Sequence, residues 1–191
     1  MVWKVDIWRI VVALALSAIV AIGLYSGHTN ILFMLVNLAV LYDAIYLWQA
    51  RINKYVVAIL FITMIGFNYR LLSLYNCNQY LTIKIILVTQ VSDVYQYVCG
   101  ARFGKNKIGW VSKNKTYEGY IGGLICTIMT FGWFYSVIDV MIIYLAGIIG
   151  GLCSSIFKRM IGVKDYSNLL GDHGGWCDRA DSILLPTLIS F

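Results

Sequence analysis

Six apolar runs, each long enough or nearly so to cross a bilayer, alternate along this chain with connections that are by turns nearly uncharged and strongly basic. They cover residues 10–25, 31–48, 55–69, 80–100, 120–138 and 140–157, with a shorter run at 183–191. A spanning helix needs about 20 apolar residues, within a range of roughly 17–25. The expected fold is therefore all-α: a polytopic transmembrane helix bundle with six spans plus a C-terminal partial or seventh span, forming one integral-membrane domain over residues 1–191. No small-x-small site follows the first run, so a cleavable signal peptide is not expected. Composition agrees. The chain is 60% hydrophobic and 13% charged, where soluble domains sit near 45–50% and about 25%. Disordered, collagen-like and disulfide-rich secreted classes are excluded, and no nucleic-acid partner is expected. The five cysteines are scattered without a C-x-x-C pair, which suggests neither a disulfide framework nor a zinc site.

The basic residues define an orientation. The net charge is +6, and every Lys and Arg except Arg70 and Lys84 falls on one side of the alternating spans. The positive-inside rule places that side, the N-terminus included, in the cytoplasm. Residues 1–79 then read as N-terminal apolar spans. Residues 80–191 read as a catalytic half with two long cytoplasmic segments, 101–119 and 158–181. Connections of that length in a compact domain are usually functional.

The second segment carries the clearest chemistry. Asp178 and Asp181 are three apart, so on a helix they share one face. Two carboxylates on one face beside a membrane repel unless a cation lies between them. Mg²⁺ takes oxygen ligands, typically one or two carboxylates plus substrate phosphates. Lys158, Arg159, Lys164 and Arg179 supply charge for phosphate oxygens. Gly174 and Gly175 allow backbone to approach a ligand closely. Acids for a metal, bases for phosphate and a glycine pair are the parts of phosphoryl or nucleotidyl transfer.

The run Ser155-x-Phe157-Lys158-Arg159-x4-Lys164-Asp165-x-Ser167-x2-Leu170-Gly171-x-His173-Gly174-Gly175-x2-Asp178-Arg179-x-Asp181-Ser182 resembles the signature of the phosphatidate cytidylyltransferases, or CDP-diacylglycerol synthases. Gly171-Asp172 replaces the Pro-Gly usual there. Upstream, Asp93-x3-Tyr97-x2-Gly100-x2-Phe103-Gly104-Lys105 is similar to a second family run. Ser112-Lys113-Asn114-Lys115-Thr116-Tyr117-Glu118-Gly119 is similar to a third, with Lys113 for the usual Pro and Tyr117 for the usual Trp. These matches cover roughly residues 90–185. The resemblance implies transfer of CMP from CTP to phosphatidate, giving CDP-diacylglycerol and pyrophosphate, with Mg²⁺ required and the site at the cytoplasmic edge of the bilayer.

On that reading Asp178 and Asp181 are the expected metal ligands, joined by Asp93, an ionisable group inside an apolar run. Lys84 lies nine positions before Asp93, about two and a half helical turns, and faces away from it. Asp165 is expected either to hold a second cation or to orient Lys164. Lys158, Arg159, Lys164 and Arg179 are expected phosphate clamps, Lys105 and Lys115 contacts to CTP or the lipid phosphate, and Ser112 and Ser155 positioning groups. His173 is expected to donate to the leaving pyrophosphate. Asp43, in the second run, matches no motif and is expected to be held by a hydrogen bond within the bundle. Gly147, Gly150 and Gly151 suggest close helix packing, within the chain or across a homodimer. Nucleotidyl transfer to an ether-lipid phosphate, a CTP-dependent polyprenol kinase and a catalytically inactive membrane scaffold are the alternatives.

Overall fold

The computed structural model describes residues 22–23, 29–109, 115–169 and 174–189. Those residues form six helices: α1 (Thr29–Gln49), α2 (Lys54–Cys77), α3 (Gln79–Phe103), α4 (Tyr117–Phe131), α5 (Val137–Met160) and α6 (Cys177–Ile189). Of the first expected run, only residues 22 and 23 are among them. Among the described residues, three helices are long and apolar enough to cross a membrane: α1 from Ile31, α2 and α5. The chain is an integral membrane protein built from helices.

Local chemistry sets the boundaries. Asn53 caps α2 by accepting a hydrogen bond from the Tyr55 amide at 3.0 Å. Asn78 both ends α2, its amide donating to Leu74 O, and starts α3, its side chain accepting from the Leu81 amide at 3.0 Å. One residue thus reverses the chain, because Asn supplies the missing acceptor of a helix start. Thr116 caps α4 through the Gly119 amide at 3.1 Å.

Three expectations are corrected in extent. The third run, expected to end at residue 69, continues helically to Cys77, since one arginine does not break a helix and Asn78 does. The run expected over 120–138 is not one helix: α4 closes at Phe131, and residues 137 and 138 already belong to α5. A turn follows at Gly132, and Tyr135 folds back to stack on Phe131 with ring centroids 6.1 Å apart. The run expected from 183 begins at Cys177, because its polar first turn is satisfied by other helices rather than by water.

Helix α3 is central and touches α2, α4, α5 and α6. Its polar residues are made compatible with burial by their own backbone: Thr89 Oγ1 donates to Ile85 O at 2.7 Å and Ser92 Oγ to Thr89 O at 2.7 Å. The contact with α4 is at backbone distance. A Cβ on Gly119 would lie 2.9 Å from Gln96 O and 3.0 Å from Gly100 Cα. Two glycines of α5 lie close to α6, a Cβ on Gly147 falling 3.4 Å from Ser182 O. A Cβ on Gly150 would meet Asp181 O at 2.9 Å, so Gly147 and Gly150 seat α6, while Gly151 faces the Lys115 ammonium. Away from the site, Lys84 on α3 pairs with Asp139 at the start of α5 and lies 5.2 Å over the Tyr135 ring.

Candidate active site

Lys158 stands in the last turn of α5. Its ammonium lies 2.7 Å from Asp178 Oδ1 and 3.5 Å from Asp181 Oδ2, with all three side chains largely enclosed. The expected shared face of Asp178 and Asp181 is therefore present on α6, and a lysine from a neighbouring helix lies against it. Asp178 Oδ2 accepts from the amides of Tyr166 and Gly175, each at 2.8 Å. Both Asp178 oxygens are thus engaged by the chain itself. Tyr166 packs under Lys158, 5.1 Å from ring centroid to ammonium, and its hydroxyl meets Ser154 Oγ at 3.2 Å. Burial pushes the Tyr166 phenol up to about 12, so it stays protonated at neutral pH.

The glycine pair accommodates these carboxylates. Gly174 has φ +77°, and a Cβ there would meet Asp178 Oδ2 at 2.7 Å. A Cβ on Gly175 would lie 2.6 Å from both oxygens of Asp43 and from Ser167 Oγ. Asp43 is fully buried on α1. Its Oδ1 accepts from Ser167 Oγ at 2.6 Å and its Oδ2 from the Cys177 amide, the first of α6, at 2.8 Å. The hydrogen bond expected for Asp43 within the bundle is present twice over.

Further along α6, Ser182 Oγ donates to Asp93 Oδ2 at 2.8 Å. Asp93 and Asp181 face one cavity of about 340 Å³, together with Lys115, Ser155, Lys158, Arg159, Lys164, Asp165, Asp178 and Arg179. Asp93 sits on α3 and is exposed to solvent through this cavity. Lys115 enters from the loop before α4, 5.9 Å from the Tyr120 ring centroid, and interacts electrostatically with both Asp93 and Asp181.

Residues from both motif-bearing segments thus meet in one place. Ser112 and His173 lie outside the described residues. Lys105 is exposed after α3, and neither it nor Gly174 and Gly175 reaches the cavity wall. Arg159 lines the mouth while donating to Val163 O at 3.1 Å, and Ser155 donates to Gly151 O at 2.7 Å. Gln96, Tyr97 and Tyr120 also line the cavity, and the Tyr120 hydroxyl is buried without a hydrogen-bond partner among the described residues. Tyr97 was visible as a motif position; Gln96 and Tyr120 carry no sequence signal beyond their neighbours.

Among the described residues no three His, Cys, Asp or Glu side chains are grouped to enclose a metal. The donor set nevertheless suits a hard cation that keeps water and phosphate ligands. Asp93 and Asp181 offer carboxylate oxygens to one polar cavity, and Mg²⁺ commonly takes no more than that from protein.

The profile of the Cytidylyltransferase family matches residues 5–191. The chain belongs to that family. It is similar to the phosphatidate cytidylyltransferase of Aquifex aeolicus, 29% identical over 168 residues, covering 84% of this chain and 64% of that protein. It is 40% identical to the phosphatidate cytidylyltransferase of Staphylococcus haemolyticus and 39% to that of Staphylococcus saprophyticus, each over 118 residues. Those alignments cover 53% of this cytidylyltransferase-family chain and 45% of each relative. The chain therefore spans between about half and two thirds of the length of the curated relatives it matches.

Proposed function

We propose that this chain transfers CMP from CTP to phosphatidate, giving CDP-diacylglycerol and pyrophosphate for phospholipid synthesis. The observation that carries this reading is the convergence of Asp93, Lys115, Lys158, Asp178 and Asp181, from both motif-bearing segments, around a single polar cavity. The names of the curated relatives point the same way.

In the reaction a phosphate oxygen of phosphatidate forms a bond to the α-phosphorus of CTP, and the bond from that phosphorus to the bridging oxygen of the β-phosphate breaks. Pyrophosphate carries away the electron pair. The nucleophile is already ionised, so no covalent enzyme intermediate is needed. Two polyanions must be brought together, and positioning plus charge neutralisation lower the barrier. Lys115, Arg159, Lys164 and Arg179 draw phosphate oxygens to the cavity. Asp178 holds Lys158, and Lys158 holds Asp181 in place. Asp93 and Asp181 would hold Mg²⁺, which supplies positive charge beside the phosphates when bound. Asp165 orients Lys164 or serves a second cation. His173 and Ser112 keep their proposed places at the leaving group and phosphate. Lys105 adds attraction from outside the cavity wall, and Gly174 and Gly175 support the site by admitting Asp178 and Asp43.

The cavity opens at the end of the bundle where α3 and α5 finish and α4 and α6 begin, the end carrying nearly all the basic residues among those described. We assign that end, with the N-terminus, to the cytoplasm, where CTP is soluble and the lipid phosphate is accessible. The test is incorporation of labelled CTP into chloroform-soluble lipid by the purified chain in detergent with Mg²⁺ and phosphatidate. Label staying wholly aqueous sinks the proposal. Faster turnover of an ether-lipid phosphate changes the substrate, and release of CDP in place of pyrophosphate identifies a kinase.

A further inference from the structure

The motifs all lie within residues 93–182, yet one side chain from the N-terminal spans holds two points of the run 155–182. We propose that Asp43 on α1 is a positioning residue for the candidate active site. Its carboxylate staples Ser167, which follows Asp165 by two residues, and the Cys177 amide, which precedes Asp178 by one. Asp43, Ser167 and Cys177 are each fully buried. Both carboxylate oxygens are used, one per anchor. One turn along α1, the Tyr46 hydroxyl accepts from Asn168 Nδ2 at 3.0 Å, so α1 presents two groups to the same stretch of chain.

The consequence reaches the cavity through two covalent steps. With the Cys177 amide fixed, the first turn of α6 is fixed, and with it the directions of Asp178 and Asp181. With Ser167 fixed, the Tyr166 amide is fixed, and that amide donates to Asp178 Oδ2. Gly175 completes the packing, since any side chain there would collide with Asp43 and Ser167 together. The geometry therefore makes the N-terminal spans part of the site's support, without Asp43 touching the cavity. Displacements of about 1 Å in such a shell cost roughly 10²-fold in rate, and loss of a supporting hydrogen bond about 10–100-fold.

The kinetic arm of the test rests on the cytidylyl-transfer reading; a second arm does not. In the full chain with Cys77, Cys99, Cys126 and Cys153 replaced by Ala, the only remaining thiol is Cys177, which is buried. Asp43→Leu and Asp43→Asn are compared with the parent for maleimide labelling of Cys177 and for kcat and KM per folded protein. Asp43→Leu is expected to label about tenfold faster or more, and to lose about 10²-fold in kcat with KM for CTP changing far less. Asp43→Asn is expected to recover much of both, because its Oδ1 can accept from the Cys177 amide while its NH₂ donates to Ser167 Oγ. A parent without turnover overturns the proposed reaction, and labelling then decides the staple alone. Unchanged labelling in Asp43→Leu overturns the staple. A full kcat in the folded fraction reduces Asp43 to a fold-stabilising residue and overturns the positioning role. If Asp43→Leu does not fold, Ser167→Ala removes one anchor, and no change in either readout overturns the proposal.

Discussion

The Lys158 ammonium and the Asp178 carboxylate sit 2.7 Å apart with side chains only 10% and 6% exposed. The remaining Asp178 oxygen takes two backbone amides. A buried ion pair whose lone pairs are satisfied in this way resists the loss of either partner far more than a surface pair does.

Removing that lysine leaves Asp178 charged and buried. Lys158→Met is expected to destabilise the protein by about 3–5 kcal/mol. Thermal unfolding in detergent measures this, and an unchanged midpoint contradicts the buried pair. Asp178→Asn is expected to lose the ion pair: with its oxygen on the Tyr166 and Gly175 amides, its NH₂ is left facing the Lys158 ammonium.

Asp181 has a different environment, 13% exposed and 3.5 Å from Lys158. Asp181→Asn is expected to keep the fold, since the Lys158–Asp178 pair survives, while turnover falls by about 10²–10³-fold, as when one preorganised charge contact is lost. Mn²⁺ binding followed by electron paramagnetic resonance should weaken in parallel. Full activity in Asp181→Asn removes it from the metal-holding pair.

The two glycines are constrained by different atoms. Gly174→Ala places a Cβ at positive φ against Asp178, and Gly175→Ala drives one into Asp43 and Ser167. Each is expected to cost about 1–3 kcal/mol from strain and overpacking. Gly109, with φ +29° and open space around its Cβ position, serves as a control in unfolding measurements. Gly109→Ala should cost less than either.

Lys84 and Asp139 form a pair at the other end of the bundle with unequal burial, 8% and 51% exposed. Asp139→Ala strands a buried ammonium, whereas Lys84→Met leaves a carboxylate that water can reach. The aspartate substitution is therefore expected to lower thermal stability more than the lysine one, with turnover per folded protein unchanged for both. Equal losses argue against the asymmetry.

What could be read from the residues in order was whatever depends on sums over neighbours. Hydropathy along a run requires no knowledge of partners, so helices near α1, α3 and α5 were legible, as was the gathering of basic charge at one end. The spacing of Asp178 and Asp181 fixed their common face because helical geometry is local. Where a run was polar at one edge, hydropathy misplaced it: α6 begins six residues before its apolar stretch, because Asp43 on a distant helix accepts from its first amide. Only the tertiary structure decided which acid meets which base. Lys158 could be assigned to phosphate from sequence, but helix packing sets it between Asp178 and Asp181. Asp43 and Ser167, 124 positions apart, touch because α1 and the segment after α5 share one end of the bundle. Partner choice is a matter of distances between helices, and those distances are set by glycine contacts and buried carboxylates far apart in the chain.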